Sequence, residues 1–146
     1  MSFRETKIKG YQEDEGEKGT HAIRGEVKNT LVAQSIFDGI IYGKGAAVIK
    51  QLYYLLGKDN FSAALKNYFS RLAWDNATID DLMADMQSYF PSEVPVTEWK
   101  TNWLEQPSLN TFESMWDADD MSTEATITLI QSPYSATFPL FRHHKI

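Results

Sequence analysis

The stretch over residues 35–48 reads Ser35-Ile36-Phe37-Asp38-Gly39-Ile40-Ile41-Tyr42-Gly43-Lys44-Gly45-Ala46-Ala47-Val48. It places one tyrosine on a glycine-flanked turn, immediately before an apolar segment with helical spacing. Backbone N–H groups and the helix dipole favour negative charge at a helix N-terminus, so Tyr42 is a candidate hydrogen-bond donor to a developing oxyanion. The alternative is a tyrosine that only packs before the helix, because neighbouring glycines suit any tight turn.

The composition predicts one domain, or one domain with part of another. The chain has 146 residues, of which 42% are hydrophobic and 13% aromatic, enough to bury a core. Its net charge of −6 argues against a nucleic-acid partner, because little would neutralise the phosphates. The chain has no cysteine, which excludes disulfides, thiolate nucleophiles and cysteine-bound zinc.

Two features of the sequence bear on location. The first residues, Met1–Lys7, are polar and carry no apolar run of signal-peptide length. No apolar run approaches the ~20 residues that cross a bilayer. These observations predict no membrane span and a cytoplasmic or other intracellular protein.

Residues 44–104 are expected to form three or four helices. The first runs from Gly45 to Leu56 and ends at Gly57, which suits the C′ position. Asp59 or Asn60 is expected to cap the second helix. The apolar face expected for that second helix consists of Phe61, Ala64, Leu65, Tyr68, Phe69 and Leu72.

A third helix is expected to begin after Thr78 and to run to about Phe90. Thr78 and Asp81 resemble a capping box in which an aspartate replaces the usual glutamate. Pro91 and Pro95 then break the helix, because proline removes an N–H donor and restricts the preceding residue.

A short helix capped by Thr97 is expected to follow. It carries Trp99 and Trp103 on one face at i,i+4 spacing, together with Leu104. The two tryptophans either pack against neighbouring helices or form a platform for stacking a ligand.

The flanks are expected to differ from this helical centre. Residues 1–25 are polar, and Glu13–Gly19 reads as a solvated loop. Glu124–Gln131 alternates like a strand, and its partner strands are not evident in the chain. The expected organisation is a polar segment at 1–25, a helical part at 26–109 and a partial β segment at 110–146.

Metal binding finds little support in the sequence. His143 and His144 are adjacent, so they cannot both face the same side of a strand. A zinc peptidase helix needs H-E-x-x-H, which the sequence lacks. Asp80, Asp81 and Asp85 are spaced along a predicted helix, and the aspartates at 117, 119 and 120 are expected to form an acidic loop. Both groups are interpreted as solvated surface or helix caps, and the loop lacks the glycine and the terminal glutamate of an EF-hand. No metal ligand is assigned to this chain.

Several linked segments together resemble the aminopeptidase N-like zinc aminopeptidases, a gluzincin family. Residues 37–52, around Tyr42, carry the main match. Thr20-His21-Ala22-Ile23 resembles the family's T/S-H-P-I, with alanine in place of proline. Further matches are Leu56–Phe61, Ala73–Leu82 and Trp103–Asn110, where Ser108 replaces a glycine.

The resemblance implies a mainly α fold, the helical lobe of a thermolysin-like peptidase domain at 26–109, with a short C-terminal β segment. It also implies that this segment, at 110–146, is part of a β-sandwich. It also implies that Tyr42 donates its hydroxyl to the tetrahedral intermediate of peptide hydrolysis, opposite zinc. The family's H-E-x-x-H and its downstream glutamate would precede this stretch. Zinc is therefore expected only if another chain supplies the missing half.

Two functions follow as hypotheses. The first is a truncated relative, a pseudoenzyme that is non-catalytic alone and acts as a structural or interaction component of a larger assembly, with exposed helical faces binding a protein partner. The second is a fragment or split subunit of an active zinc aminopeptidase, in which Tyr42 stabilises the transition state and a peptide is the substrate. A third hypothesis is an unrelated helical binding module, which leaves the linked motif matches unexplained.

Overall fold

The computed structural model describes residues 2–16, 18–25, 27–35, 37–118 and 125–145. The chain is mainly helical, as expected, and ends in an antiparallel two-stranded hairpin. The helices are α1 (Phe3–Glu15), α2 (Thr30–Ser35), α3 (Gly45–Leu56), α4 (Lys58–Arg71), α5 (Ile79–Met86) and α6 (Val96–Lys100). The strands are β1 (Asn110–Ala118) and β2 (Ala125–Pro133).

The described residues also form three short helical turns. A π-helical turn, Ile40–Lys44, leads directly into α3, and a second, Thr101–Glu105, extends α6. A 3₁₀ turn, Gln87–Tyr89, follows α5, so the helix predicted to reach Phe90 ends in this tighter turn. The predicted break at the two prolines is confirmed.

The core is built by the helices that follow the Tyr42 turn. The two tryptophans of the α6 region are buried, with ring centroids 6.4 Å apart, which confirms packing against neighbouring helices. Much of the apolar stripes of α3 and α5 is also buried. The fully packed members of this core are Val48, Leu52, Leu56, Ala64, Met83, Met86, Val94, Trp99, Trp103 and Leu104.

Helix α1 corrects the expected solvated loop. Ser2 and Glu5 form a capping box at its start, and the helix continues through Glu15. Glu13–Glu15 are therefore helical, and Asp14 is buried against the rest of the molecule. The acidic run resembles a solvated loop in the sequence because Lys44, the ion-pair partner of Asp14, lies 30 residues further along the chain.

Two expected helix caps are replaced by other residues. Gly57, with φ of +82°, is the N-cap of α4, so Asp59 and Asn60 lie inside the helix. The Asn60 amide instead donates to the Leu56 carbonyl at the end of α3. Pro95 occupies the N-cap position of α6, so Thr97 is not a cap. The Thr78–Asp81 capping box and the Gly57 helix end are both confirmed.

The strand expected near the C-terminus has a partner within the chain. β1 pairs with β2 over nine residues each, with Asn110 opposite Pro133 and Trp116 opposite Ile127. Residues 119–124 lie outside the described ranges, so Asp119, Asp120 and the start of the predicted strand at Glu124 are not placed. Asp117 lies in β1 rather than in a loop.

The C-terminal tail connects the hairpin to the helices. Buried Arg142 donates to the carbonyl oxygens of Asn102 and Pro107, both at 2.7 Å. The Asn110 side chain accepts from the Arg142 N–H and donates to the Leu140 carbonyl. These bonds anchor the base of the hairpin, while the residues of β1 from Thr111 to Asp117 are exposed.

Candidate functional site

Tyr42 lies inside the π-helical turn that precedes α3. Its side chain is 60% exposed, whereas Ile40, Gly43 and Lys44 around it are buried. The Phe37 ring lies 6.0 Å from the Tyr42 ring, centroid to centroid. Single π-helical turns are often found at functional sites. Because buried residues lie on either side of Tyr42, the backbone of the turn is packed while the phenol remains accessible.

A shallow depression of about 200 Å³ lies beside the Tyr42 ring. We call this surface the Tyr42 face; it is lined by Thr6, Lys9, Phe37, Asp38, Gly39 and Tyr42. Two of these residues, Thr6 and Lys9, belong to α1, so α1 helps to shape the face.

The backbone N–H groups at this end are already occupied, which corrects the sequence-based picture. Asp38 Oδ1 accepts from the N–H groups of Ile40 and Ile41, at 2.9 and 3.1 Å. The Gly39 N–H donates to Glu13 Oε2, and the Tyr42 N–H donates to the Asp38 carbonyl. A carboxylate thus caps this terminus and satisfies its donors. The phenol is the group that this end still offers to an oxyanion.

Asp38 is held in turn by His21. His21 Nε2 lies 2.8 Å from Asp38 Oδ2, and Nδ1 lies 2.9 Å from the Ala22 carbonyl oxygen. Burial lowers the pKa of His21, but the hydrogen bonds to Ala22 and Asp38 and the nearby negative charges outweigh burial and raise it. Burial raises the pKa of Asp38, but the hydrogen bonds from His21 and from the N–H groups of Ile40 and Ile41 outweigh burial and lower this pKa.

Two glycines bring α1 and the Tyr42 turn into backbone contact. A Cβ atom built on Gly43 would clash with the Thr6 carbonyl oxygen of α1, and one built on Gly10 would lie 2.5 Å from the Gly39 carbonyl oxygen. Both positions therefore require glycine for packing rather than for an unusual φ angle. A tight turn is one reason for glycine at position 43, and the close approach of the α1 backbone is the stronger reason.

Lys44 and Asp14 form an ion pair beneath the turn. Lys44 Nζ lies 2.7 Å from Asp14 Oδ2, and both side chains are 0% exposed. Burial lowers the pKa of Lys44, and the charge and hydrogen bonding of Asp14 partly oppose this. Sequence reasoning missed this pair, since a lysine among glycines and an aspartate in a charged run both look solvated.

The other residues weighed in the sequence lie elsewhere. Asp80 contacts Arg24 and Lys100, Asp81 closes the capping box, and Asp85 contacts Arg71. These placements confirm the interpretation of the three aspartates as surface and capping groups.

The histidines are in different environments. His143 Nε2 lies 3.3 Å from Glu98 Oε1, and His144 lies edge-on between the rings of Trp103 and Phe112. Burial, with the positive charges of Arg142 and His143, lowers the pKa of His144 to about 4.

Among the residues that the structure describes, no three histidine, aspartate or glutamate side chains are grouped so that they could hold a metal ion. The described side chains therefore do not fit the zinc ion that the resemblance implies. The chemistry that the Tyr42 face itself offers is hydrogen-bond donation by a phenol. Within the described ranges, no helix is long and apolar enough to cross a bilayer.

Comparison with known proteins identifies the family of the chain. Residues 2–103 match the family described as "Peptidase family M1 domain", a range that includes α1, the Tyr42 turn and the helical core. The chain belongs to peptidase family M1. The expected kinship with aminopeptidases is thereby confirmed.

Individual relatives carry aminopeptidase names. The chain is 33% identical to aminopeptidase N of Streptomyces lividans over 110 residues, which is 74% of this chain and 13% of the relative. It is 32% identical to aminopeptidase M1-B of Oryza sativa subsp. japonica over 105 residues, 72% of this chain and 12% of the relative. Aminopeptidase M1 of Arabidopsis thaliana is 35% identical over 92 residues, 63% of this chain and 10% of the relative. The chain thus spans about an eighth of the length of these proteins.

Proposed function

We propose that these 146 residues are a non-catalytic component of a larger aminopeptidase-type assembly and that they bind a protein partner through the Tyr42 face. The observation that carries the proposal is the exposure of two adjacent aromatic rings on a fixed turn. Phe37 and Tyr42 are each 60% exposed, although the backbone that bears them is capped and packed against α1. Exposed apolar groups on an ordered surface are characteristic of binding sites.

A second function is favoured by the arrangement of the donors. With the neighbouring N–H groups satisfied by Asp38 and Glu13, the Tyr42 hydroxyl is left available at the surface. We propose that, when another polypeptide supplies the rest of a peptidase site, this hydroxyl donates to the oxygen of an N-terminal peptide bond as it becomes an oxyanion. Such a donor is effective because its position is fixed before charge develops.

Complementation distinguishes the two proposals. The full chain is expressed with the part of Streptomyces lividans aminopeptidase N that precedes the matched segment, where the resemblance places H-E-x-x-H. Complex formation is followed by gel filtration, and hydrolysis of an aminoacyl anilide is measured with and without chelator. A stable complex without hydrolysis supports the structural role, whereas hydrolysis by the complex supports the second function.

Tyr42→Phe tests the role of the hydroxyl within an active complex. We expect a decrease in kcat of roughly 10²–10³-fold, the usual effect of removing one oxyanion donor. Tyr54→Phe is the matched control, because it removes the same atom from another exposed tyrosine, on α3. Equal activities of the two variants would exclude the catalytic role. Hydrolysis by the isolated chain in the presence of chelator would contradict both proposals.

A further inference from the structure

A buried polar cluster lies directly beneath the Tyr42 turn. Lys44, two residues after Tyr42, places Nζ 2.7 Å from Asp14 Oδ2 and donates a hydrogen bond of 3.0 Å to the Ser108 carbonyl. Both charged side chains are completely buried. The charge of the lysine is thus compensated by an aspartate from α1 and by a backbone carbonyl beyond the helical core.

The second oxygen of Asp14 extends the cluster to a fourth segment, which contains Thr20. Thr20 Oγ1 donates to Asp14 Oδ1 at 2.6 Å, and the Ser108 N–H donates to both of these oxygens, at 3.2 and 3.0 Å. Ser108 adopts a left-handed backbone conformation, with φ of +71°. Four segments therefore meet at one ion pair: the end of α1, the Thr20 segment, the Tyr42 turn and the Ser108 loop.

The ion pair specifies geometry more than it supplies stability. Moving two charges out of water is costly, and apolar side chains of similar size often stabilise a core as well or better. A charged pair constrains geometry in another way, because moving either group away leaves the other charge buried and unpaired. Here that constraint sets how α1 and the Tyr42 turn meet, where Gly10 and Gly43 already bring the two backbones together.

We propose that Asp14 and Lys44 are positioning residues that fix the orientation of the Tyr42 phenol. Asp38 caps one end of the turn, and the buried pair holds the other end, so Tyr42 lies between two charged anchors. Neither member of the pair is at the surface, so their effect on a ligand is transmitted through the turn. A catalytic consequence rests on the proposed function of Tyr42, whereas the positional effect does not.

The test reads the environment of Tyr42 in the full chain. Fluorotyrosine is incorporated at position 42 alone, and its ¹⁹F resonance is recorded in the double variant Asp14→Leu/Lys44→Met, which removes both charges together. We expect a shifted and broadened resonance, because the turn then samples several orientations, with a helical circular dichroism spectrum like that of the parent chain. A resonance with the parent shift and width in the folded variant overturns the proposal.

The matched control removes an ion pair that is remote from the turn. Arg71 Nη2 and Asp85 Oδ2 lie 2.8 Å apart between α4 and α5. Arg71→Met/Asp85→Leu is expected to leave the Tyr42 resonance unchanged. An equal change in the control would show a general loss of rigidity and would overturn the assignment to Asp14 and Lys44.

A milder variant keeps the test decisive if the double variant does not fold. Thr20→Val removes the hydrogen bond from Thr20 to Asp14 and the one from the Ser108 N–H to Thr20, and it leaves the two charges paired. We expect a smaller shift of the Tyr42 resonance in a folded chain, and no shift would overturn the proposal. If the pair served stability alone, Thr20→Val would lower the unfolding midpoint of the chain without shifting the Tyr42 resonance.

The same variants separate this inference from the proposed function. In an active complex, loss of positioning lowers kcat with little change in KM. If Tyr42→Phe leaves activity intact while the ¹⁹F resonance still depends on Asp14 and Lys44, the catalytic role fails and the positioning role stands. If Tyr42→Phe lowers activity but the resonance is insensitive to the pair, only the positioning role fails.

Discussion

The helical core and the C-terminal hairpin bury apolar side chains to very different degrees. In the core, Trp99 is 1% exposed, whereas Trp116 in β1 is 68% exposed. The pairing register places Phe112, Trp116, Ile127 and Leu129 on one face of the hairpin, and all four are exposed. The comparison teaches that the M1-type helical segment encloses its own core, while hydrogen bonds of Asn110 and Arg142 tie the base of the hairpin to that segment.

The largest expected effect separates two tryptophans of identical chemistry. Trp99→Ala should cost about 3–5 kcal/mol of unfolding free energy, because it leaves a cavity beside Phe90 and Trp103. Trp116→Ala should change it by no more than about 0.5 kcal/mol. Urea unfolding followed by far-ultraviolet circular dichroism measures both. Similar losses in the two variants would mean that the hairpin is as deeply packed as the core.

A smaller effect is expected at His144, which contacts both regions through Trp103 and Phe112. Its pKa is about 4 in the folded chain against 6.5 for the free group, so the unfolded chain binds the proton more readily. The stability that this residue contributes is therefore present above about pH 6.5 and is lost as the pH falls towards 4. The loss is at most about 3 kcal/mol.

His144→Gln should reduce that dependence of the unfolding free energy on pH between 6.5 and 4. His143→Gln is the control, because His143 is exposed and lies beside Glu98 instead. Urea unfolding at a series of pH values gives the two slopes. If His144→Gln keeps the parent slope, His144 is not the group that loses stability in this range.

The smallest expected effect lies at the helix ends of the core. Thr78 accepts from the Asp81 N–H and donates to its carboxylate, so Thr78→Ala should cost about 1 kcal/mol. Thr97→Ala should cost much less, since Pro95 is the N-cap of α6. Thermal unfolding of both variants measures the difference. A larger loss for Thr97→Ala would reverse the order of these two helix ends.

Patterns that depend on neighbours in the chain were the most predictable. The apolar spacing of α3, Gly57 at its end and the Thr78–Asp81 box all involve groups within a few residues of one another. Phe69 shows where the pattern weakens, because it belongs to the predicted apolar face of α4 but is 65% exposed. Periodicity specifies a face, and the neighbouring helices decide how much of that face they cover.

The candidate site was predictable in its central residue and not in its surroundings. The glycine-flanked Tyr42 stood out in the sequence, and its place before α3 is confirmed. Its catalytic role stays a prediction. The capping by Asp38, the support from His21 and the burial of Asp14 depend on contacts between segments far apart in the chain, which local patterns do not encode.

The sequence by itself determined the mainly helical fold class, the points at which helices end and the kinship with M1 peptidases. Each of these depends on local spacing or on linked motifs. The tertiary structure decided which charges are buried and which donors remain available beside Tyr42. Asp14 and Lys44 look like ordinary surface residues until folding brings them within 2.7 Å of each other, away from water. The physical reason is that desolvation and charge pairing depend on distance in space, and residue type alone does not specify that distance.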